Sequence, residues 1–408
     1  MRSIYDIRAD FPLLSTKVNG NPLIYLDNAA TTQLPQCVID CLVAHYCHEN
    51  ANVHRGIHYL SERSSQRYET ARQTVAKFIG AKSASEVVFT SGCTEAVNMV
   101  AAGLAEQIQP GDEIIVSELE HHSVFVTMQQ LCLRKHAVFR VLPTENSEVC
   151  LERLEAMLNP RTRLVCATQV SNLTGTVLSV QEIAKLVHRH GALFLVDGAQ
   201  AMRHEPVDVS QIDCDYYCFS GHKLLAPAGI GVLYGKRKLL ELLQPLKYGG
   251  GIVDHVTSEK TTFAPVPHKL EPGTPNYPSA IALACAIDYI CAEGRAELAA
   301  RENHLIAYTE TALTEISGVR ILGHPKCRHG AVSFVCDGLD SFDIAKILDR
   351  YGIAVRSGTH CAQPALVSLD VPGAVRVSPA FYNTEQEIRN FTEKLECSIK
   401  MLRKWGCL

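Results

Sequence analysis

The stretch Asp215-Tyr216-Tyr217-Cys218-Phe219-Ser220-Gly221-His222-Lys223 decides the fold. It reads as an apolar strand ending in a small-residue turn, with Lys223 just past the strand end. Upstream, Leu193-Phe194-Leu195-Val196-Asp197 is a second apolar strand, and it ends in an acid. In an open parallel sheet, ligands bind in the crevice at the carboxyl ends of the strands. An acid and a lysine delivered to that edge suit pyridoxal 5'-phosphate, which needs a lysine for its Schiff base and an acid for its pyridinium nitrogen. Taken alone, each residue reads more readily as an ordinary surface charge, and the rest of the chain shifts that balance.

The flanking chain repeats the pattern. A strand at 86–90 runs into Ser91-Gly92-Cys93-Thr94, a glycine turn that enters a helix. Free amides and the helix dipole favour an anion at such a turn. A strand at 113–116 leads to Glu118-Leu119-Glu120-His121-His122-Ser123. An imidazole at that strand end can stack on a planar ring. A strand at 164–168 opens into Ser171-Asn172-Leu173-Thr174-Gly175, and a helix at 180–190 leads to the Asp197 strand. Residues 229–234 form a further strand. Strands alternating with helices at this spacing predict an α/β domain with a mostly parallel sheet. Near the start, 23–26 is a short strand followed by Asp27-Asn28-Ala29-Ala30. Asn52-Val53-His54-Arg55-Gly56 precedes a long helix at 59–78.

Composition bounds the function. The chain has 408 residues, enough for two domains and a large core. Apolar residues make up 47% and charged residues 20%, as in soluble enzymes. A net charge of -4 gives no electrostatic case for nucleic acid or an anionic membrane as partner. No apolar run approaches the ~18 residues of a membrane span, and the N-terminus has no signal-peptide core. The expected location is cytoplasmic. The 16 cysteines are scattered, with no CxxC pair and no zinc-finger spacing, so neither a metal site nor a disulfide framework is expected.

The pattern changes after 248. Residues 248–278 are broken by Gly249-Gly250-Gly251 and five prolines, which predicts a long functional loop or interaction arm. An apolar helix at 280–292 follows. Beyond it come a helix at 295–316, strands at 319–322 and 331–336, a helix at 342–351 and a strand at 353–356. Ser357-Gly358-Thr359-His360-Cys361-Ala362-Gln363-Pro364, a strand at 374–378 and a helix at 385–402 complete the chain. The predicted division is a large cofactor-binding domain, 16–292, and a small α+β domain built from 1–15 and 293–408.

Together the pieces resemble the cysteine desulfurases, within the class V branch of the fold-type I pyridoxal-phosphate enzymes. The likeness is nearest to the SUF type and its selenocysteine-lyase-like relatives. The residues that carry it are Asp27-Asn28-Ala29-Ala30, His54-Arg55-Gly56, Glu120-His121-His122, Val196-Asp197-Gly198-Ala199-Gln200, Ser220-Gly221-His222-Lys223, Gly273-Thr274-Pro275-Asn276 and Arg356 to Cys361. The resemblance implies a fold-type I transferase fold with a seven-stranded sheet. It implies Lys223 as Schiff-base lysine, Asp197 as partner of the pyridine nitrogen, Gln200 as donor to the ring hydroxyl oxygen and His121 as stacking ring. Thr94, Ser220 and His222 match phosphate ligands, with Cys93 where the family often has another threonine. Thr274 matches a ligand supplied to the other subunit of a homodimer. Arg376 and Asn172 match groups that hold the substrate, with Arg356, His54 and Arg55 also expected on the substrate side. Cys361 matches the nucleophile that becomes a persulfide.

The chemistry is consistent with those assignments. A carboxylate at Asp197 favours the protonated ring nitrogen. Arg376 offers a planar fork that fits a carboxylate, and Lys223 can move the α-proton. Cys361 must be partly thiolate to attack sulfur, and Arg356 and His360 are the neighbours able to favour the anion. The implied reaction converts L-cysteine to L-alanine, with sulfur passed to Cys361 and on to an acceptor for iron-sulfur cluster assembly. The short span from Cys361 to Arg376 implies an acceptor protein, of the SUF or CSD type, that comes to the site. Selenocysteine lyase is the alternative activity, and a class V aminotransferase a more distant one.

Overall fold

The computed structural model describes residues 2–54 and 56–405. Seven strands form its main sheet: β1 (Val87–Thr90), β2 (Glu113–Ser117), β3 (Val138–Leu142), β4 (Thr162–Thr168), β5 (Leu193–Asp197), β6 (Tyr216–Ser220) and β7 (Gly231–Gly235). Their spatial order is β1-β7-β6-β5-β4-β2-β3. Six strands are mutually parallel, and β7 is antiparallel to both of its neighbours. The expected α/β sheet is present, in mixed form.

Period-two alternation splits the strand side chains between two cores. Tyr217, Phe219, Phe194, Val196, Val165 and Ile115 belong to one apolar cluster, and Tyr216, Cys218, Leu195, Cys166, Ile114 and Val116 to the other. The first is covered by helices α1 (Tyr59–Phe78), α4 (Val180–Arg189) and α5 (Tyr277–Glu293). The second is covered by α2 (Cys93–Leu104) and α3 (His122–Lys135). Burial on both faces explains why these strands read as continuous apolar runs. The turn into α2 lies hard against β7. A Cβ on Gly231 would sit 2.4 Å from the Gly92 Cα, so only glycine fits there.

A second sheet lies in the C-terminal part. Strands β8 (Val319–Ile321), β9 (Val332–Cys336), β10 (Arg356–Gly358) and β11 (Ala374–Val377) run antiparallel in the order β8-β9-β11-β10. Helices α6 (Arg295–Thr314), α7 (Ser341–Arg350) and α8 (Glu385–Trp405) accompany it. Two sequence expectations are refined here. The strand expected at 353–356 is divided: Ile353–Ala354 pairs in parallel with Ile24–Tyr25, and only Arg356 onward joins the small sheet. Ile24 and Leu26 therefore share a core with Ile306, Phe334 and Phe391. The expected loop at 248–278 contains a hairpin, Val253–Val256 against Thr261–Phe263.

Candidate active site

The parallel strands end on one edge, and the segments that follow several of them bring polar side chains to a single cavity of about 390 Å³. Cys93, Thr94, His121, Asn172, Asp197, Gln200, Ser220, His222, Lys223, Arg356, Cys361 and Arg376 all line it. Two expected residues among the described ones are not among them. Thr274 is exposed and lies elsewhere on the chain. His54 packs edge-on against Tyr68 and His268, away from the cavity. Its exposed turn is held by α1, where its N–H donates to the Ser65 hydroxyl at 2.7 Å. Arg55 lies outside the described residues.

Lys223 follows β6 in a single tight turn, Gly221–Lys223. Burial lowers its pKa, and Asp197 opposes that shift in part. Desolvation therefore favours the neutral, nucleophilic amine. Asp197 is register partner to Cys218 on β6 and accepts the Ala199 N–H at 2.9 Å. Gln200 spends one N–H on the Ala29 carbonyl at 2.7 Å, which leaves its second N–H free. At the start of α2 the Cys93 N–H donates to the Ser220 hydroxyl at 2.9 Å.

His121 and His222 are held neutral. His121 caps α3, and its Nδ1 accepts the Ser123 N–H at 3.1 Å. That bond places the ring proton on Nε2. Burial, with Lys223 nearby, pushes its pKa down to about 4. His222 is likewise lowered to about 4, mainly by burial.

One wall of the cavity is built from three chain segments. Arg376 on β11 is buried; its Nη1 donates to the Asn172 carbonyl at 2.9 Å and its Nη2 to Asp27 at 3.2 Å. Arg356 on β10 pairs with the same Asp27 carboxylate at 2.9 Å. One acid thus faces two guanidinium groups, leaving a net positive charge at the cavity wall. Three buried polar atoms of this wall have no partner, the Arg376 Nε, the Asn172 Oδ1 and the His360 Nδ1. Buried orphan donors and acceptors on cavity-lining residues are costly unless a ligand satisfies them. Asp27 is the functional candidate that sequence reasoning left without a role. Its signal was its place at the end of the 23–26 strand, in a motif already singled out.

The Cys361 turn is tied down at three points. His360 and Cys361 both adopt left-handed backbone, at φ 51° and 54°. Asn172 Nδ2 donates to the His360 carbonyl at 2.7 Å, the His360 ring meets the Ala374 carbonyl at 2.9 Å, and the His122 N–H donates to the Cys361 carbonyl at 2.8 Å. The thiol residue itself is exposed. Burial, with Arg376 nearby, pushes His360 down to about 4, so it brings no positive charge to Cys361. Arg356 is the remaining cationic neighbour of the two that the sequence offered.

The family model described as aminotransferase class-V matches residues 24–391. The chain belongs to this family. A probable cysteine desulfurase of Vibrio cholerae is 43% identical over 404 residues, covering 98% of this chain and 100% of the relative. A cysteine desulfurase of Synechococcus elongatus is 44% identical over 402 residues, covering 98% of this chain but 64% of the relative. This chain spans 56% and 65% of two similar mycobacterial relatives. The solved apo structure of the cysteine desulfurase from Thermococcus onnurineus NA1 superposes with a TM-score of 0.93 at 36% identity, covering 98% of this chain and 99% of that one. Pyridoxal 5'-phosphate is the cofactor of the family, and this cavity suits it. A buried amine of lowered pKa, an acid at the end of the adjacent strand, a neutral imidazole and a helix N-terminus are the groups it needs.

Proposed function

We propose that the protein is a cysteine desulfurase that releases L-alanine from L-cysteine and retains the sulfur on Cys361 as a persulfide. The observation that carries this reading is the thiol of Cys361, exposed at the mouth of the same cavity as Lys223 and the unpartnered Arg376 Nε. An aminotransferase needs the lysine and the arginine but no thiol there.

The bound cofactor supplies an electron sink that loosens the bonds to the substrate α-carbon. Asp197 holds the ring nitrogen protonated, His121 covers the ring face and Gln200 offers its free N–H to the ring hydroxyl oxygen. Thr94, Ser220 and His222 would hold the phosphate with the first amides of α2, and the Cys93 N–H positions the Ser220 hydroxyl beside it. Arg376 takes the substrate carboxylate, Asn172 orients the amine side, and Arg356 keeps the wall cationic. Lys223, released by substrate, moves the proton at the α-carbon. The Cys361 thiolate then forms a bond to the substrate sulfur as that sulfur's bond to carbon breaks. The carbon skeleton takes up protons and leaves as alanine, so cysteine plus thiol gives alanine plus persulfide.

Further parts of the reading concern assembly. Thr274 is exposed on its own chain, which supports a homodimer in which it completes the other subunit's phosphate site. Arg55 remains a candidate for the substrate side, reached across the same interface, whereas His54 packs on its own chain against Tyr68 and His268. The body 16–292 carries the cofactor, and 1–15 with 293–408 carries the cysteine turn, with Ile24–Leu26 packed into the second unit. The three hydrogen bonds that pin the Cys361 turn restrict how far a persulfide travels, which supports a visiting acceptor protein of the SUF or CSD type and a role in iron-sulfur cluster assembly. We place this in the cytoplasm; no helix among the described residues is long and apolar enough to cross a membrane. The test is alanine release from L-cysteine, with and without a thiol acceptor. Stoichiometric keto-acid formation in place of alanine and sulfide would favour the aminotransferase reading.

A further inference from the structure

His54 was expected at the substrate and is instead part of a different cluster. His54, Glu69 on α1 and His268 each bring one ligand atom within 4.8 Å of the other two. The two imidazole rings meet edge-on, with centroids 5.2 Å apart at 76°. The three residues come from three separate segments, a turn, a helix and the short 3-10 turn His268–Leu270. His54 holds a left-handed backbone, φ 73°, although it is not glycine. A strained residue is retained where surrounding structure or a ligand fixes it.

We propose that His54, Glu69 and His268 form a binding site for a borderline divalent cation such as Zn²⁺, Co²⁺ or Ni²⁺. Two imidazoles and one carboxylate are the donor set these ions prefer, and the exposed side leaves a position for water. The local charge favours a cation. Arg72 pairs with Glu69 at 2.9 Å and with Glu271 at 2.5 Å, so two acids share one guanidinium and one negative charge is left over. Arg72 reaches both Glu69 oxygens, and each carboxylate oxygen keeps a further lone pair for a metal. Bonds of about 2.0–2.1 Å to a tetrahedral ion bring ligand atoms to roughly 3.3 Å apart. Side-chain rotation of little more than an ångström closes the site.

The ion ties the His54 turn to α1 and to the segment that runs from His268 through Glu271 to Thr274. On the reading of Thr274 given above, it steadies the stretch offered to the other subunit. Binding itself is measured without reference to activity, so its failure and that of the desulfurase reading are separable. The experiment is a Co²⁺ titration of untagged, chelator-treated holoprotein, followed by visible absorption and thermal unfolding. Expected are saturation at one equivalent per chain, weak ligand-field bands without strong thiolate charge transfer, and a raised unfolding midpoint. His268→Ala and Glu69→Gln should lose all three while keeping the cofactor absorbance that reports a folded chain. No saturable binding, equal binding by both variants, or bands of thiolate ligation alone would overturn the proposal.

Discussion

Replacing Arg376 by lysine tests the substrate side most sharply, because charge is kept and geometry is lost. The guanidinium spends Nη1 on the Asn172 carbonyl and Nη2 on Asp27, and its Nε–H is buried without a partner. A lysine ammonium is a point donor on a flexible stem and cannot hold both protein bonds while reaching the ligand. Hydrogen bonds to charged groups are worth about 1.5–3 kcal/mol each. Loss of the substrate bond and loosening of the internal pair therefore costs about 3 kcal/mol. At about 1.4 kcal/mol per decade this is a fall of roughly 150-fold in kcat/KM for L-cysteine. A carboxylate is held throughout the reaction, so most of the loss belongs in KM. The assay is initial-rate alanine formation over a range of cysteine concentrations, with cofactor absorbance as the control for folding. A loss below tenfold, or a lower kcat at unchanged KM, would refute the assignment of Arg376 to the carboxylate.

Three other outcomes rest on different parts of the structure. Glu271 is buried and accepts Arg72, the Phe89 N–H at 2.7 Å and the Tyr68 hydroxyl at 2.8 Å; Glu271→Ala should cost about 3 kcal/mol in urea unfolding, since it leaves Arg72 with Glu69 alone and removes the acceptor of the Phe89 N–H. The hydrogen bond that His188 donates to Asp215 raises His188 above its ordinary value, so its stabilisation is full below about pH 6.5 and fades as pH rises through the folded-state pKa. The thermal midpoints of wild type and His188→Asn should therefore differ at pH 5.5 (about one unit below that ordinary value) and converge in alkali. Asn172→Ala removes the donor to the His360 carbonyl, and hydrogen exchange at 357–363 should quicken; unchanged exchange would show that the turn is ordered without it.

Much of this was readable in the chain because strong local signals carried it. Apolar runs ending in small or charged residues gave β5, β6, Asp197 and Lys223. The helix expected at 59–78 has those bounds in the structure, since His58 caps its start and its buried face is regular. What the sequence hid was long-range. Asp27 becomes a site residue only because strand pairing brings 27, 356 and 376 together. The neutral state of His360 follows from its burial, which no neighbour in sequence announces. His54 sat in a motif whose position relative to the cavity depends on the turn at 52–58, and one chain does not bring it to the cofactor pocket. The Arg72–Glu271 pair, nearly two hundred residues apart, gave no sequence sign at all.

The central claim is that Cys361 accepts sulfur, and intact-protein mass spectrometry tests it directly. After a short exposure to L-cysteine without acceptor, the wild-type chain should gain the mass of one sulfur atom, mapped to Cys361 and removed by a reductant. Cys361→Ala should keep the cofactor and gain nothing. A sulfur adduct on another cysteine, or persulfide formation undiminished in Cys361→Ala, would contradict the account.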